Sequence, residues 1–485
     1  MQIWRRPVVA FFGAFCSTMG INALSNATAL LASNFHASLS EISPATSLYL
    51  IAEIAALPLM PLIVKQFSTA RLLKVALWGF LVGSIVCLIA PTLNFLLVGR
   101  VIQGFFGGML VTTPLLIMKS DLPEDKQPIA MISAGFASGF APIVGPLFTA
   151  SLTAGSVQMI FLLMSVIVAV GLLALPPEDK VEKGGEAKPP LPISNVLAVA
   201  AFSAGLASIV WGIEHIQEWG AWSDVRFRLH VMLGMSVILL AGLHQWQKRD
   251  ALLPLAMLSK PKYIGILLSS AIMGVVVYGF LYLIPYYLIR VHGAGVAELF
   301  QVTLYASFPQ LIWLPVVLFL RNKVSPYVLV MFGALMGTFS VWQLTGLGMD
   351  FGGTAWMLPQ GIRAISIPII VMPLGLLLIT LPSKEDAPAL TSLYSLFRSL
   401  GGIVGVSGLT AFTEARQSYY TQIIIMNKTD SSPLSLLQIE RSGWLYAFND
   451  TFLLVSTAMM GMCFYFGYLA WQHYRFSRES IGADA

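Results

Sequence analysis

Long apolar runs alternate with short polar connections along the whole chain. A helix that crosses a membrane needs about 20 mostly apolar residues, because a rise of 1.5 Å per residue must cover about 30 Å of hydrocarbon. Fourteen runs meet this requirement, which predicts an all-α membrane protein with 14 transmembrane helices. The runs lie at residues 8–32, 45–64, 72–90, 93–118, 128–151, 157–175, 193–213, 227–246, 263–288, 298–320, 326–346, 352–380, 389–413 and 449–472.

The composition excludes a water-soluble fold. Of 485 residues, 57% are hydrophobic and 11% are charged, whereas soluble domains carry about 25% charged residues. The net charge of +5 does not indicate nucleic-acid binding, because Lys and Arg lie in short loops between the apolar runs and not in one patch. No nucleic-acid partner is therefore expected.

The distribution of cations predicts the orientation. If the N-terminus is cytoplasmic, the loops on that side carry roughly three times as many Lys and Arg residues as the loops on the other side. Cationic loops remain in the cytoplasm. Both termini are therefore predicted to be cytoplasmic.

Two connections differ from the rest. Residues 176–192 are charged and rich in Pro and Gly, which predicts a flexible cytoplasmic linker between the first six spans and the remaining eight. Residues 414–448 mix polar residues with short apolar runs. They are expected to form a solvated external loop, with a small external lid as the alternative.

Two motifs carry a family resemblance. The fourth span contains Leu96, Arg100, Gln103, Gly104 and Gly108 in the spacing L-x-x-x-R-x-x-Q-G-x-x-x-G, which resembles a motif of major facilitator superfamily carriers. The fifth span resembles the antiporter motif of that superfamily, with Gly135, Gly139, Pro142, Gly145 and Pro146. With fourteen spans, the chain is most similar to the drug:proton antiporters of the EmrB/QacA type, and closest to EmrB.

The resemblance implies an architecture and a setting. It implies a major facilitator fold with two six-helix halves at residues 1–175 and 263–485 and two additional helices at 193–262. It also implies the bacterial inner membrane, with a small-molecule substrate, protons and the lipid bilayer as partners. EmrB-like proteins work with a periplasmic adaptor and an outer-membrane channel, so a subunit of such an export assembly is one interpretation.

The glycines of the fifth span have two interpretations. Glycines three or four residues apart let a neighbouring helix approach closely in lipid, and the two prolines would make the helix bendable. Simple helix packing explains this pattern as well as a gate does. The resemblance favours a hinge or seal that controls leakage.

Arg100 is a candidate for proton coupling. An ionised Arg at bilayer depth costs several kcal/mol unless it faces a polar interior or a partner, and Gln103, one turn later, shares its helix face. In the carriers that the chain resembles, this Arg takes part in proton coupling or keeps the cavity polar. The alternative is an Arg that snorkels at the end of the span.

Glu53 is the one clear carboxylate in the middle of a predicted span. Burial disfavours its charged form, so that it could bind and release protons near neutral pH. The alternative is a permanent ion pair with an Arg. The resembling family carries an acid in the first span, where this chain has Gly20, and this departure favours a specialised substrate over multidrug transport.

The second half contributes Gln360 and Arg363, in the middle of the twelfth span. If the seventh and eighth spans are inserted, the twelfth corresponds to a helix that lines the cavity of the resembling carriers. Arg363 would then meet a substrate carboxylate or phosphate at the midplane, or instead pair with Glu53 or with helix-end carbonyls. Asn22, Asn26 and Gln103 complete the predicted substrate cavity.

The sequence gives little support for an enzyme. It contains no H-E-x-x-H, C-x-x-C or P-loop motif, and neither a cofactor nor a metal is predicted. The predicted function is a proton-coupled antiporter that exports small amphiphilic molecules by alternating access. The alternative is a specific proton-linked transporter of an anionic metabolite or siderophore, in either direction.

Overall fold

The regular structure is helical throughout the part of the chain that a computed structural model describes, and no strand occurs there. The described residues are 2–22, 24, 28–37, 39–42, 44–121, 123, 141, 158–175, 192–246, 255–294, 296–321, 323–346, 348, 355–382, 387–427 and 436–483.

The chain divides into two compact units. Unit 1 comprises Met1–Leu267 and Leu378–Leu400, and unit 2 comprises Leu268–Leu377 and Gly401–Ala485. The helices within unit 1 are α1 Gln2–Asn22, α2 Thr28–Phe35, α3 Leu39–Ile42, α4 Pro44–Ala56, α5 Met60–Gln66, α6 Thr69–Leu88, α7 Leu93–Asp121, α8 Gln158–Ala174, α9 Ile193–Glu214, α10 Ile216–Trp219 and α11 Val225–Trp246.

Among the described residues, unit 2 contains five complete helices and three π-helices. The helices are α13 Phe280–Tyr287, α14 Val296–Leu320, α15 Pro326–Leu344, α18 Leu409–Met426 and α19 Leu436–Ala483, and the π-helices are Val275–Gly279, Leu288–His292 and Val404–Gly408. Three helices contribute residues to both units, namely α12 Pro261–Gly274, α16 Met357–Thr380 and α17 Ala387–Ile403.

The hydropathy prediction agrees with these helices. Among the described residues, 10 helical segments are long and apolar enough to cross a membrane, and each coincides with a predicted span. Three other predicted spans coincide with shorter apolar helices, at Phe11–Ile21, Gln158–Ala174 and Leu304–Leu320. The remaining one, 128–151, lies almost wholly outside the described residues, so the number fourteen stays a prediction.

Glycines on α7 bring the backbone of α4 into direct contact with it. A Cβ at Gly104 would collide with the carbonyl oxygen of Tyr49, and one at Gly108 would lie 2.5 Å from that of Glu53. Close approach at small residues is how helices associate in lipid, where the hydrophobic effect does not drive them together. This packing fixes the positions of Glu53 on α4 and Arg100 on α7 relative to each other.

The helices α9 and α11, which correspond to the predicted additional pair, form a closely packed hairpin. A Cβ at Gly205 would lie 2.9 Å from the carbonyl oxygen of Gly234, and one at Gly234 would lie 2.6 Å from that of Gly205. Helix α9 also packs against α4, where Ser47 donates a hydrogen bond to Glu214 at 3.0 Å. The assignment of the whole chain to two halves and an inserted pair stays a prediction.

Much of the segment 414–448 is helical, although a solvated loop is expected from its sequence. Helix α18 continues to Met426 and α19 begins at Leu436. Two polar contacts involve this segment: Arg416 pairs with Asp450, which lies just beyond it on α19, at 2.6 Å, and Gln417 donates to Thr421 at 3.1 Å. The predicted linker, 176–192, lies outside the described residues except at its last residue.

Candidate functional site

Arg100 is completely buried in unit 1, and each of its three guanidinium nitrogens donates a hydrogen bond. Nε donates to the carbonyl oxygen of Ala45 and Nη2 to that of Gly20, both at 2.8 Å. Nη1 donates to Oε1 of Gln103 at 2.5 Å. Arg100 therefore does not snorkel, and it joins α1, α4 and α7 through neutral acceptors.

Tyr49 covers the guanidinium of Arg100. The ring centroid lies 4.3 Å from the guanidinium carbon, a cation–π contact worth about 2 kcal/mol when it is desolvated. The Tyr49 hydroxyl donates to the carbonyl oxygen of Ser17 at 3.0 Å, which fixes the ring. Tyr49 is not among the site residues predicted from the sequence, although its position four residues before Glu53 places both side chains on the same face of α4.

Gln103 completes this cluster. Its amide nitrogen donates to the Ser84 hydroxyl at 2.9 Å and contacts the Met164 sulfur at 3.3 Å, while its oxygen accepts from Arg100. The predicted proximity of Arg100 and Gln103 is thus observed. Both ends of the Gln103 side chain are occupied within unit 1.

Gly20 stands where the resembling family carries an acid, and the structure gives a reason. A Cβ at Gly20 would lie 2.7 Å from the Tyr49 hydroxyl and 2.9 Å from two atoms of its ring. Tyr49 therefore occupies the space that a side chain at position 20 would need. The carboxyl group in this part of unit 1 comes from Glu53 on α4.

Glu53 is 1% exposed and has a single hydrogen bond. Its Oε1 accepts from the Ser399 hydroxyl at 3.1 Å, whereas Oε2 has no partner among the described residues. No ion pair of Glu53 occurs among the described residues. The unbonded Oε2 is an atom at which a proton can be held. Ser399 is distant in sequence, and no local pattern predicts its contact.

The pair Gln360 and Arg363 lies in unit 2, on α16. Arg363 is 2% exposed, and its Nε donates to Oε1 of Gln360 at 2.8 Å. Its Nη1 donates at 3.1 Å to the carbonyl oxygen of Val276, which lies in a π-helix. A π-turn interrupts the regular helical hydrogen-bond ladder. Val276 lies inside the helical segment Tyr263–His292, so its carbonyl is not one of the helix-end carbonyls that are the predicted alternative for Arg363.

Several predicted site residues lie outside the described part of the structure. They are Asn26 and the antiporter-motif residues Gly135, Gly139, Pro142, Gly145 and Pro146. Asn22 ends α1, and its side chain is not among those described. Their roles stay predictions.

Fold and sequence together define the class of protein. The model of the Major Facilitator Superfamily matches residues 10–406, so the chain belongs to that family. It is a multi-pass membrane protein and a transporter rather than an enzyme. The proton:xylose symporter XylE shares the fold, with a TM-score of 0.62 at 14% identity over 95% of each chain.

Two relatives have names that describe drug resistance or export. The chain is 25% identical to the colistin resistance protein EmrB of Acinetobacter baumannii, over 83% of this chain and 79% of the relative. It is 22% identical to the multidrug export protein EmrB of Escherichia coli, over 86% of this chain and 83% of the relative. The predicted resemblance to EmrB-type carriers is confirmed, at low identity.

Proposed function

We propose that this protein is a proton-coupled antiporter that exports small amphiphilic molecules by alternating access. The names of the two EmrB relatives support export of drug-like molecules. The observation that carries proton coupling is Glu53, a buried carboxyl with one hydrogen bond and no ion pair among the described residues.

Glu53 is the proposed proton-exchange group. A carrier that moves a proton must bind the proton in one conformation and release it in another. A carboxylate in a permanent ion pair stays charged and would not exchange a proton readily. Oε2 of Glu53 is unbonded, and the bond from Ser399 to Oε1 persists in either protonation state, because a hydroxyl can donate to the carbonyl oxygen of a neutral acid.

Arg100 is proposed to couple α1, α4 and α7 during the transport cycle. Its bonds to Gly20, Ala45 and Gln103 join three helices through one cation. A shift of one helix would break a charge-assisted bond, each worth about 1.5–3 kcal/mol. Glu53 on α4 and Arg100 on α7 lie on helices that pack directly through Gly104 and Gly108, so we expect the charge state of the carboxyl to affect the cation that joins the helices.

The proposal also includes the membrane, the topology, the substrate contacts and the partner proteins. The protein lies in the bacterial inner membrane with both termini in the cytoplasm, as two six-helix halves with an additional helix pair. The glycines and prolines of the fifth span act as a hinge or seal, and Asn22, Asn26, Gln360 and Arg363 contact the substrate. Gln103, predicted to line the cavity as well, instead holds Arg100. A periplasmic adaptor and an outer-membrane channel extend the export route.

Transport under an imposed pH gradient tests this function. Proteoliposomes that contain the purified protein are given a panel of amphiphilic cations, neutral molecules and anions, with and without nigericin to collapse the gradient. We expect at least one class to accumulate against its concentration gradient, and nigericin to abolish this accumulation. Equilibration at the same rate in both conditions indicates a facilitator or a channel and contradicts the proposal.

A specific transporter of an anion is the second candidate function. The observation that favours it is Arg363, a buried cation whose described partners are all neutral. Saturable, pH-driven transport of one anionic class, with no transport of the other classes in the same panel, would separate this candidate from broad export.

A further inference from the structure

Two arginines of this chain are hydrogen-bonded to a glutamine three residues away, and the two pairs differ in how completely they are bonded. In unit 1, Arg100 donates through all three nitrogens, and both ends of the Gln103 amide are occupied. In unit 2, Arg363 donates through Nε and Nη1, while Nη2 has no hydrogen bond among the described residues.

Gln360 also has a side-chain group without a hydrogen bond among the described residues. Its side chain is 0% exposed and its oxygen accepts from Arg363, yet its Nε2 has no partner among the described residues. Buried amide N–H groups are almost always hydrogen-bonded, and an unbonded one is unfavourable. The bond from Arg363 to the oxygen fixes the orientation of the amide, so a flipped side chain does not remove the deficiency.

The charge of Arg363 is also unbalanced. Its described hydrogen-bond partners, the side-chain oxygen of Gln360 and the carbonyl oxygen of Val276, are both neutral. A buried cation without a counter-ion is unfavourable inside a membrane protein. The same pair of side chains thus lacks two hydrogen-bond acceptors and one negative charge.

We propose that Arg363 and Gln360 form an anion-binding site for the carboxylate of an amphiphilic substrate. One carboxylate oxygen would accept from Nη2 of Arg363 and the other from Nε2 of Gln360, since a carboxylate supplies both missing acceptors and the missing charge. A single uncompensated cation matches a singly charged carboxylate better than a doubly charged phosphate.

The surroundings of the pair fit an amphiphile. The ring of Phe280 lies 5.3 Å from the guanidinium carbon of Arg363 and provides an apolar, water-excluding neighbour. The inference rests on the proposed transport function, because it specifies the substrate class of that function.

Matched ligands in purified protein test this site without a transport assay. The full chain in lipid nanodiscs is titrated with 1-naphthoate and 1-naphthamide, and with 4-butylbenzoate and its amide, by equilibrium dialysis. Each pair differs in one group, a charged carboxylate in one ligand and a neutral carboxamide of similar size in the other. We expect at least tenfold tighter binding of each carboxylate, and equal binding within both pairs overturns the proposal.

Substitutions test whether the preference for carboxylates arises at Arg363 and Gln360. Arg363→Gln should bind carboxylate and amide equally, and Gln360→Ala should weaken carboxylate binding severalfold. Thr338→Ala, which removes a buried hydroxyl bonded only within its own helix in unit 2, should keep the wild-type preference. If Arg363→Gln does not fold, Arg363→Lys should fold and show a reduced preference, because its single ammonium cannot reproduce the guanidinium geometry.

Different results would overturn the carboxylate site and the proposed antiporter function. Unchanged carboxylate preference in both Arg363 variants overturns this site, whatever the transport result. Absence of pH-driven transport together with selective carboxylate binding would contradict the antiporter and leave the binding site.

Discussion

Substitution of Gly20 by Ala tests the packing that holds Arg100 in place. The added Cβ would lie 2.7 Å from the Tyr49 hydroxyl, well inside contact distance. Tyr49 is fully buried, and its hydroxyl is bonded to Ser17, so the ring has little room to move.

The magnitude follows from two opposing effects. Overpacking of a buried site costs about 1–3 kcal/mol, while replacing Gly by Ala inside a helix gains up to about 1 kcal/mol. We therefore expect Gly20→Ala to lower the free energy of unfolding by about 1–2 kcal/mol. Gly461 on α19 is the matched control, because a Cβ there meets nothing within 4 Å, and Gly461→Ala should keep or slightly raise this free energy.

The assay is SDS-induced unfolding of the purified variants in mixed micelles, followed by tryptophan fluorescence. The difference in unfolding free energy between the two variants should be about 2 kcal/mol, because both variants gain the helix preference and only Gly20→Ala has the packing cost. Equal stability of Gly20→Ala and Gly461→Ala would refute the contact between Gly20 and Tyr49.

Three further predictions follow from the site and the topology. Arg100→Ala should insert normally but lose transport, because three acceptors on three helices lose their donor; transport at the wild-type rate in vesicles would contradict its proposed role. Gly104→Ala should be more destabilising than Gly20→Ala in the same SDS titration, since its Cβ would collide with backbone of Tyr49 and not with a side chain. Reporter fusions at residues 185 and 430 should lie on opposite sides, cytoplasmic and external; reports from the same side would exclude the fourteen-span topology.

The sequence predicted the helices well because the hydrocarbon thickness sets a length that hydropathy can measure. It also predicted that Arg100 and Gln103 share a face, because their separation is one helical turn. Both properties are local. They depend only on residues within one helix.

The parts that sequence reasoning missed depend on contacts between distant residues. Ser399 bonds to Glu53 across 346 positions of sequence, and the Gly20 carbonyl accepts from Arg100 across 80. Gly20 accepts this bond through its backbone carbonyl oxygen, which every residue type has, so the residue type does not indicate this role. The pair of Arg416 on α18 and Asp450 on α19 also joins residues that are separated in sequence.

The central claim is that Glu53 exchanges the proton that drives transport. The most direct measurement compares wild type and Glu53→Gln in proteoliposomes, by substrate exchange at equal pH and by accumulation under a pH gradient. Gln resembles the protonated acid in shape and cannot release a proton. Glu53→Gln should therefore retain exchange at equal pH but lose accumulation against a gradient, whereas full pH-driven accumulation by this variant would contradict the account.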